Sequence, residues 1–401
     1  MTSHARTRRL AEQEWMFDRI IQANGPDFYW PMTEETLVSA GMDAAGDIGA
    51  ARSAIKAAGD VTPVMASIGE KRRAMAEKAE ADGHPETACE NYFTAAACYM
   101  MAQGPIHEDD NELNLRLNES KNACYDRFIA LAGRPIERVE IPFEDGSLPG
   151  ILHLPPDASG PVPCIVLLGG LDNFKEILVR GHHDKIVDRG MAVLTFDGPG
   201  QNDALISRKI RCDADNFIPA GINAMDYLLT RPEIDADRIG IAGVSMGSFW
   251  LVQILANDPR YKAGAGFYIC HEPGMGTIFD VAIPVFKDRY MWMAGYNDEA
   301  AFDKFAKTLT LEGLGAKINR PVLFVAGEKD ELSPIEHTYA LCEDIAAPTT
   351  VAVFKGEVHG VTDHLDVRAL IADWMKDRFD GKPLESSRIL IDARAGSETI
   401  F

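Results

Sequence analysis

Gly243-Val244-Ser245-Met246-Gly247 places a serine between two glycines, directly after the apolar run Arg238 to Ala242 and before a helical run from Phe249 to Ala256. This G-x-S-x-G spacing suits a nucleophile on a sharp strand-to-helix turn, where flanking side chains larger than hydrogen would clash. The pentapeptide alone also occurs in plain glycine-rich loops, so its weight comes from the strand before it and the helix after it. A serine hydroxyl is a poor nucleophile until a base takes its proton, which demands a histidine downstream. His359, in Lys355-Gly356-Glu357-Val358-His359-Gly360, lies just past the last apolar run. His364 follows five residues later, where a final helix is expected, and reads as a surface histidine. The imidazole in turn needs a carboxylate to orient it and to stabilise its developing charge. Asp330, in Gly327-Glu328-Lys329-Asp330-Glu331-Leu332-Ser333-Pro334, precedes His359 by 29 positions and completes the order Ser, acid, His. Glu328 and Glu331 are the alternative acids, but they read as a solvated loop edge.

An attacked carbonyl needs donors for the oxyanion that forms. The N–H after the nucleophile, that of Met246, is one. Leu168-Gly169-Gly170-Leu171-Asp172-Asn173 offers the second from the loop after an earlier strand, with the Leu171 N–H as the expected donor and Gly170 as the fallback. Phe196-Asp197-Gly198-Pro199-Gly200-Gln201 reads as a structural turn on the same rim. Glu272, beside His271, follows another strand and either hydrogen-bonds a substrate hydroxyl or is an ordinary loop carboxylate. His182-His183-Asp184 does not read as a metal site, because adjacent helical side chains point about 100° apart. With no phosphate-binding loop, dinucleotide fingerprint or zinc spacing, no cofactor and no metal are expected.

The elements that must hold these residues divide the chain in two. Up to about residue 132 the pattern is helical, with helices expected over Leu10 to Ala23, from just after Thr33, over Pro63 to Ala81, Glu86 to Met101 and Asn111 to Ala132. Beyond it, short apolar strands alternate with helical stretches: Arg138 to Phe143, Gly150 to Leu154, Pro163 to Leu168, Ala192 to Phe196, Arg238 to Ala242, Ala265 to Ile269, Val322 to Ala326 and Thr350 to Phe354. A hairpin at the start that feeds crossover-length connections predicts an α/β-hydrolase fold with a mostly parallel, eight-stranded sheet. The expected division is a helical N-terminal lid over 1–132, a catalytic domain over 133–383 with a small helical insertion at 273–314, and a tail over 384–401. Bundling the helices as a dimerisation platform is the alternative to a lid.

The 401 residues are 46% hydrophobic and 25% charged, which excludes disordered and fibrous classes. Forty basic against 61 acidic side chains give a net charge of −21, which argues against a surface built for nucleic-acid phosphates or anionic lipid. Seven scattered cysteines without CxxC pairs fit free thiols in a reducing compartment, and the arginine-bearing N-terminus lacks the apolar stretch of a secretory signal. No run approaches a membrane span. A cytoplasmic protein with a small-molecule substrate, no nucleic-acid or membrane partner and a homodimeric state is expected.

Several motifs together carry a more specific likeness. Gly169-Gly170-Leu171-Asp172-Asn173-Phe174-Lys175-Glu176, the Phe196 to Gln201 turn, the serine pentapeptide, Thr308-Leu309-Thr310-Leu311-Glu312-Gly313 and Gly327-Glu328-Lys329-Asp330 resemble the 2,6-dihydroxypseudooxynicotine hydrolase family, to which fungal polyketide-shortening hydrolases are related. The resemblance spans roughly residues 60 to 380. It implies an α/β-hydrolase with an N-terminal helical lid that cleaves a carbon–carbon bond next to a ketone, often on an aromatic substrate. By position it implies Ser245, Asp330 and His359 as the triad and the Gly170 to Leu171 amides in the oxyanion hole. Where that family continues the turn with Gly-Glu, this chain has Asn202-Asp203. The expectation is a cofactor-free serine hydrolase acting on a β-diketone or acyl-phenol; a carboxylester, thioester or amide hydrolase with the same triad and a catalytically silent binding module are the alternatives.

Overall fold

The computed structural model describes residues 5–26, 45–156, 158–361 and 367–400. Among them, ten strands form one sheet in the order β1-β2-β4-β3-β5-β6-β7-β8-β9-β10. They are β1 (Ile136–Phe143), β2 (Gly146–His153), β3 (Val162–Leu168), β4 (Ala192–Phe196), β5 (Ile234–Val244), β6 (Gly264–Phe267), β7 (Val322–Gly327), β8 (Thr349–Phe354), β9 (Ser387–Asp392) and β10 (Ser397–Ile400). β1, β2 and β4 pair antiparallel, β3 to β9 pair parallel, and β10 closes the far edge antiparallel. The fold is an α/β-hydrolase, as the alternation of short apolar strands and crossovers predicts.

The expected count of eight strands is corrected to ten. The region read as a tail from 384 supplies β9 and β10. β9 is only half-buried along its length and β10 is exposed throughout, so neither carries the apolar signature of a covered strand. β3 and β5 lie side by side while β4 sits on the outer flank of β3, so the chain reverses direction across the sheet between β3 and β5. Loops leaving the C-terminal ends of neighbouring strands splay apart at such a point and leave a crevice.

Ahead of the sheet the described helices run Arg8–Asn24, Ala45–Ala54, Val61–Ala81, Pro85–Gln103 and Glu112–Leu131. The helix expected after Thr33 lies outside the described residues. Pro85–Gln103 is buried almost all round, because it is flanked by both neighbouring helices and covered by the loop after β3. Its core is shared with the sheet: Ile136, Ile151, Phe174 and Ile177 belong to the same apolar cluster as Tyr92, Phe93, Tyr125 and Phe128. The 273–314 insertion is helical, with Val285–Ala294 and Glu299–Ala306 as its longer elements. All seven cysteines are buried free thiols. No helix among the described residues is long and apolar enough to cross a membrane.

Candidate active site

Sheet register brings five loop starts to one edge. Leu168 pairs with Gly243, Val244 with Phe267, Phe267 with Val325, and Gly327 with Phe354, so β3, β5, β6, β7 and β8 end nearly level. Ser245 follows β5 with φ 52° and ψ −119°, a backbone conformation that costs of order 1–3 kcal/mol and persists only where the surroundings enforce it. Here its N–H donates to the Phe267 carbonyl at 2.9 Å and its carbonyl accepts from the Ser248 N–H at 2.8 Å. The flanking glycines are steric requirements. A Cβ on Gly243 would lie 2.2 Å from the Gly247 carbonyl oxygen, and one on Gly247 would lie 2.7 Å from that of Leu168.

His359 Nε2 is 2.9 Å from Ser245 Oγ, and His359 Nδ1 is 3.0 and 2.9 Å from the two Asp330 oxygens. Asp330 is itself held: Oδ1 accepts the Leu332 and Ser333 N–H groups, each at 2.9 Å, which fixes the rotation of the carboxylate. Glu331, weighed as an alternative acid, accepts the His359 backbone N–H at 3.0 Å and so anchors the histidine loop instead. Glu328 accepts the Gly356 N–H at 2.8 Å, a second tie between the two loops. His364 lies outside the described residues. Burial alone would lower the His359 pKa, but the Asp330 charge and hydrogen bond, with Glu331 and Asp172 behind them, raise it above the ordinary value.

The loop after β3 lies against this serine, since a Cβ on Gly170 would meet Ser245 Cβ at 3.0 Å and the Val244 carbonyl at 3.1 Å. Met246 opens the helix Met246–Asn257, and its N–H is among those with no partner inside the helix. The Gly170 N–H, the fallback donor, is engaged at 2.7 Å by Asn173 Oδ1 in an Asx-type closure of the loop. Glu272 does not stand alone at the strand end. Its Oε2 accepts the Thr277 N–H at 2.7 Å and steadies the start of the insertion. His271 donates its N–H to Ser333 Oγ at 3.0 Å and pairs its ring with Thr338; burial drives its pKa down to about 3, so it is neutral and is no second base.

Three groups here escape the sequence. Tyr268 follows β6 with φ 56°, buried, its ring centroid 6.3 Å from that of His359, so a strained aromatic lies beside the imidazole. Only its place after an apolar run hinted at it. Gln201, from the turn after β4, donates to the Gly170 carbonyl at 2.7 Å. Arg289, in the insertion, donates to the Leu171 carbonyl at 3.1 Å.

Behind the same loop sits a second polar assembly. Lys175 Nζ lies 2.8 Å from Asp197, 2.9 Å from Glu176 and also bonds Asp203. Lys121, from the last N-terminal helix, lies 3.1 Å from Glu176 and 3.4 Å from Asp203, and Arg138 approaches Glu176 at 3.9 Å. Asn118 bonds Asp203, and Asn202 donates to the Asn173 carbonyl at 2.7 Å, so the Asn202-Asp203 pair that departs from the resembling family is built into this assembly. Among the described residues no group of three or more His, Cys, Asp or Glu side chains could hold a metal ion; Asp184 instead accepts the Ile186 and Val187 N–H groups.

The family described as Esterase FrsA-like matches residues 69–379, more than half of the chain. The chain belongs to that family. Its relatives include a 2,6-dihydropseudooxynicotine hydrolase of Paenarthrobacter nicotinovorans, 27% identical over 309 residues, which cover 75% of this chain and 80% of that protein. A 20-hydroxy-prefusarin hydrolase of Gibberella moniliformis is 28% identical over 251 residues, covering 60% of this chain and 58% of that one, so the chain spans less than two thirds of this fungal relative. Among solved structures, that of the 2,6-dihydroxy-pseudo-oxynicotine hydrolase superposes with a TM-score of 0.75 at 24% identity, over 88% of this chain and 97% of the other, and it shows the fold. The likeness drawn from the motifs is therefore borne out. This FrsA-like chain is a hydrolase of the α/β-hydrolase superfamily.

Proposed function

We propose that the protein is a cofactor-free serine hydrolase that cleaves the carbon–carbon bond beside a ketone, in a β-diketone or acyl-phenol substrate, through an acyl-enzyme. The observation that carries this reading is the unbroken relay from Ser245 Oγ through His359 to Asp330. Ser245 attacks the ketone carbon while His359 Nε2 takes its proton. Asp330 holds the ring and steadies the imidazolium. The carbonyl oxygen becomes an oxyanion held by the Met246 and Leu171 N–H groups. Collapse re-forms the carbonyl and breaks the carbon–carbon bond, leaving the electron pair on a carbon whose neighbouring carbonyl or ketonised phenol spreads the charge. His359 returns its proton to that carbon. Water, deprotonated by the same histidine, then releases the acyl group as a carboxylic acid.

The support for a carbon leaving group is the resemblance of the loop motifs and the relatives' named substrates. The family's description as esterase-like favours a second reading, in which the same residues cleave an ester and the leaving oxygen needs no carbanion stabiliser. Under both readings the N-terminal helices roof the site, because they pack on the loops after β3 and β4: Phe93 lies against Gly181, and Lys121 reaches Asp203. Incubating wild type and S245A with matched aryl ketone and aryl ester substrates, and identifying products by mass spectrometry, tests the proposal. It expects ketone cleavage by wild type and none by S245A; ester turnover without ketone cleavage supports the second reading.

A further inference from the structure

We propose that Gln201 and Arg289 are positioning residues for the oxyanion hole, each gripping the carbonyl oxygen of one of two successive peptide planes around Leu171. This rests on the reading of Ser245 as nucleophile and of the Leu171 N–H as oxyanion donor.

The Gly170 carbonyl and the Leu171 N–H belong to a single peptide group. That group is planar and trans, so its C=O and N–H point in opposite directions. Whatever holds the oxygen therefore aims the hydrogen. Gln201 Nε2 holds that oxygen at 2.7 Å, with the Gly169 carbonyl as a weaker second acceptor at 3.4 Å. The amide cannot be turned over, because its Oε1 accepts the Gly198 N–H at 2.9 Å. Gln201 is buried, so no water competes for these bonds. A hydrogen bond to the carbonyl also polarises the shared peptide and makes its N–H a stronger donor.

The next plane begins at the Leu171 carbonyl, and Arg289 Nε donates to it at 3.1 Å. The same guanidinium reaches the Gly104 carbonyl at 3.3 Å, at the end of the Pro85–Gln103 helix, and Asn202 Oδ1 at 3.4 Å. Among the described residues no carboxylate lies within ion-pairing distance of it. Arg289 is 5% exposed. Burying a guanidinium whose hydrogen bonds go to neutral oxygens is costly even with the Asp172 charge acting on it, and a fold that needed only packing here would place a Met or Leu. What the arginine does that an apolar side chain cannot is fix three oxygens from the helical region, the β3 loop and the β4 loop at one point. Gly170 itself is closed by Asn173, so both peptide planes flanking Leu171 are clamped, and the Leu171 N–H is held opposite the oxygen that Gln201 grips.

Q201M keeps the length and removes the donor; R289K keeps the charge and removes the fork. Two readouts separate aim from packing: steady-state hydrolysis of p-nitrophenyl butyrate, and inhibition by phenylboronic acid, which forms a tetrahedral adduct with Ser245 Oγ and places a boronate oxygen in the oxyanion hole. For Q201M the expected result is a fall in kcat of about 10- to 100-fold, somewhat below the loss of a whole oxyanion donor. The boronate inhibition constant should rise in parallel, with KM within about two-fold of wild type and an unchanged melting temperature. R289K should show the same pattern more weakly. Wild-type kcat and boronate affinity in both variants would overturn the inference. So would a loss of kcat that tracks melting temperature while boronate affinity stays intact. S245A is the control for the reading beneath it: if S245A still binds boronate and turns over ester, the nucleophile assignment fails, whatever Q201M does.

Discussion

The Ser245 relay and the Lys175 cluster are both built on loops leaving the same sheet edge, yet one keeps a polar atom half-open and the other closes every charge. Ser245 is only part-buried, and among the described residues its hydroxyl, at the end of a chain of three groups, bonds His359 alone. Lys175 and Lys121 have fully buried side chains, and with Arg138 they set three cations against Glu176, Asp197 and Asp203. A relay with one unsaturated end fits the proposed attack on a substrate carbonyl. A balanced, buried cluster has no vacancy for one. Proximity to the site, burial and charge therefore do not mark a catalytic group; an open end at the correct distance from a nucleophile does.

Mutations should separate the two assemblies cleanly. S245A is expected to lower kcat/KM by roughly 10⁴-fold with no change in melting temperature, measured by steady-state kinetics beside thermal unfolding. D330N should cost a similar factor in kcat and also move the pH profile. His359 acts as base only when neutral, and Asp330 raises its pKa, so the acid limb of kcat/KM in wild type should lie above the ordinary histidine value of about 6.5. Removing the charge should shift that limb to lower pH, and a limb left in place would break the assignment of Asp330. K175M should do the reverse of S245A: a loss of about 3–5 kcal/mol in stability by urea unfolding, because buried Asp197 is left without a cation and Glu176 and Asp203 must share Lys121, with the folded fraction retaining activity.

The smallest expected effect comes from acid. Burial alone would raise the Glu176 and Asp203 carboxyls, but Lys121 and Lys175 prevail and pull Glu176 down to about 2 and Asp203 well below its ordinary value. Carboxyls depressed on folding stabilise the native state fully above their unfolded values of about 4, and that contribution is lost as pH falls through the folded values. The urea midpoint should thus drop between about pH 4 and pH 2, and K175M should flatten that dependence.

The Ser245–His359–Asp330 arrangement was legible because each member is tied to a local feature: glycines at an elbow, a histidine after the last buried strand, an aspartate after the strand before it. The α/β pattern was legible for the same reason, since buried parallel strands are short apolar runs. What escaped was whatever depends on long-range meetings. Arg289 is 118 residues from the carbonyl it holds, and nothing in the Val285–Ala294 sequence distinguishes it from a surface arginine. Gln201 looked like the end of a turn, because its meaning lies in the Gly170 oxygen that β4 carries it to. β9 and β10 escaped because half-exposed edge strands mix polar and apolar residues without a clean alternation.

Under the proposed mechanism the acyl group passes through Ser245 whichever bond is broken. Rapid acid quench during turnover of an aryl ketone, followed by intact-mass analysis and peptide mapping, tests it most directly. A transient adduct with the mass of the acyl group is expected, mapped to the peptide containing Ser245 and absent in S245A. Product formation without any such adduct, at an undiminished rate in S245A, would contradict it.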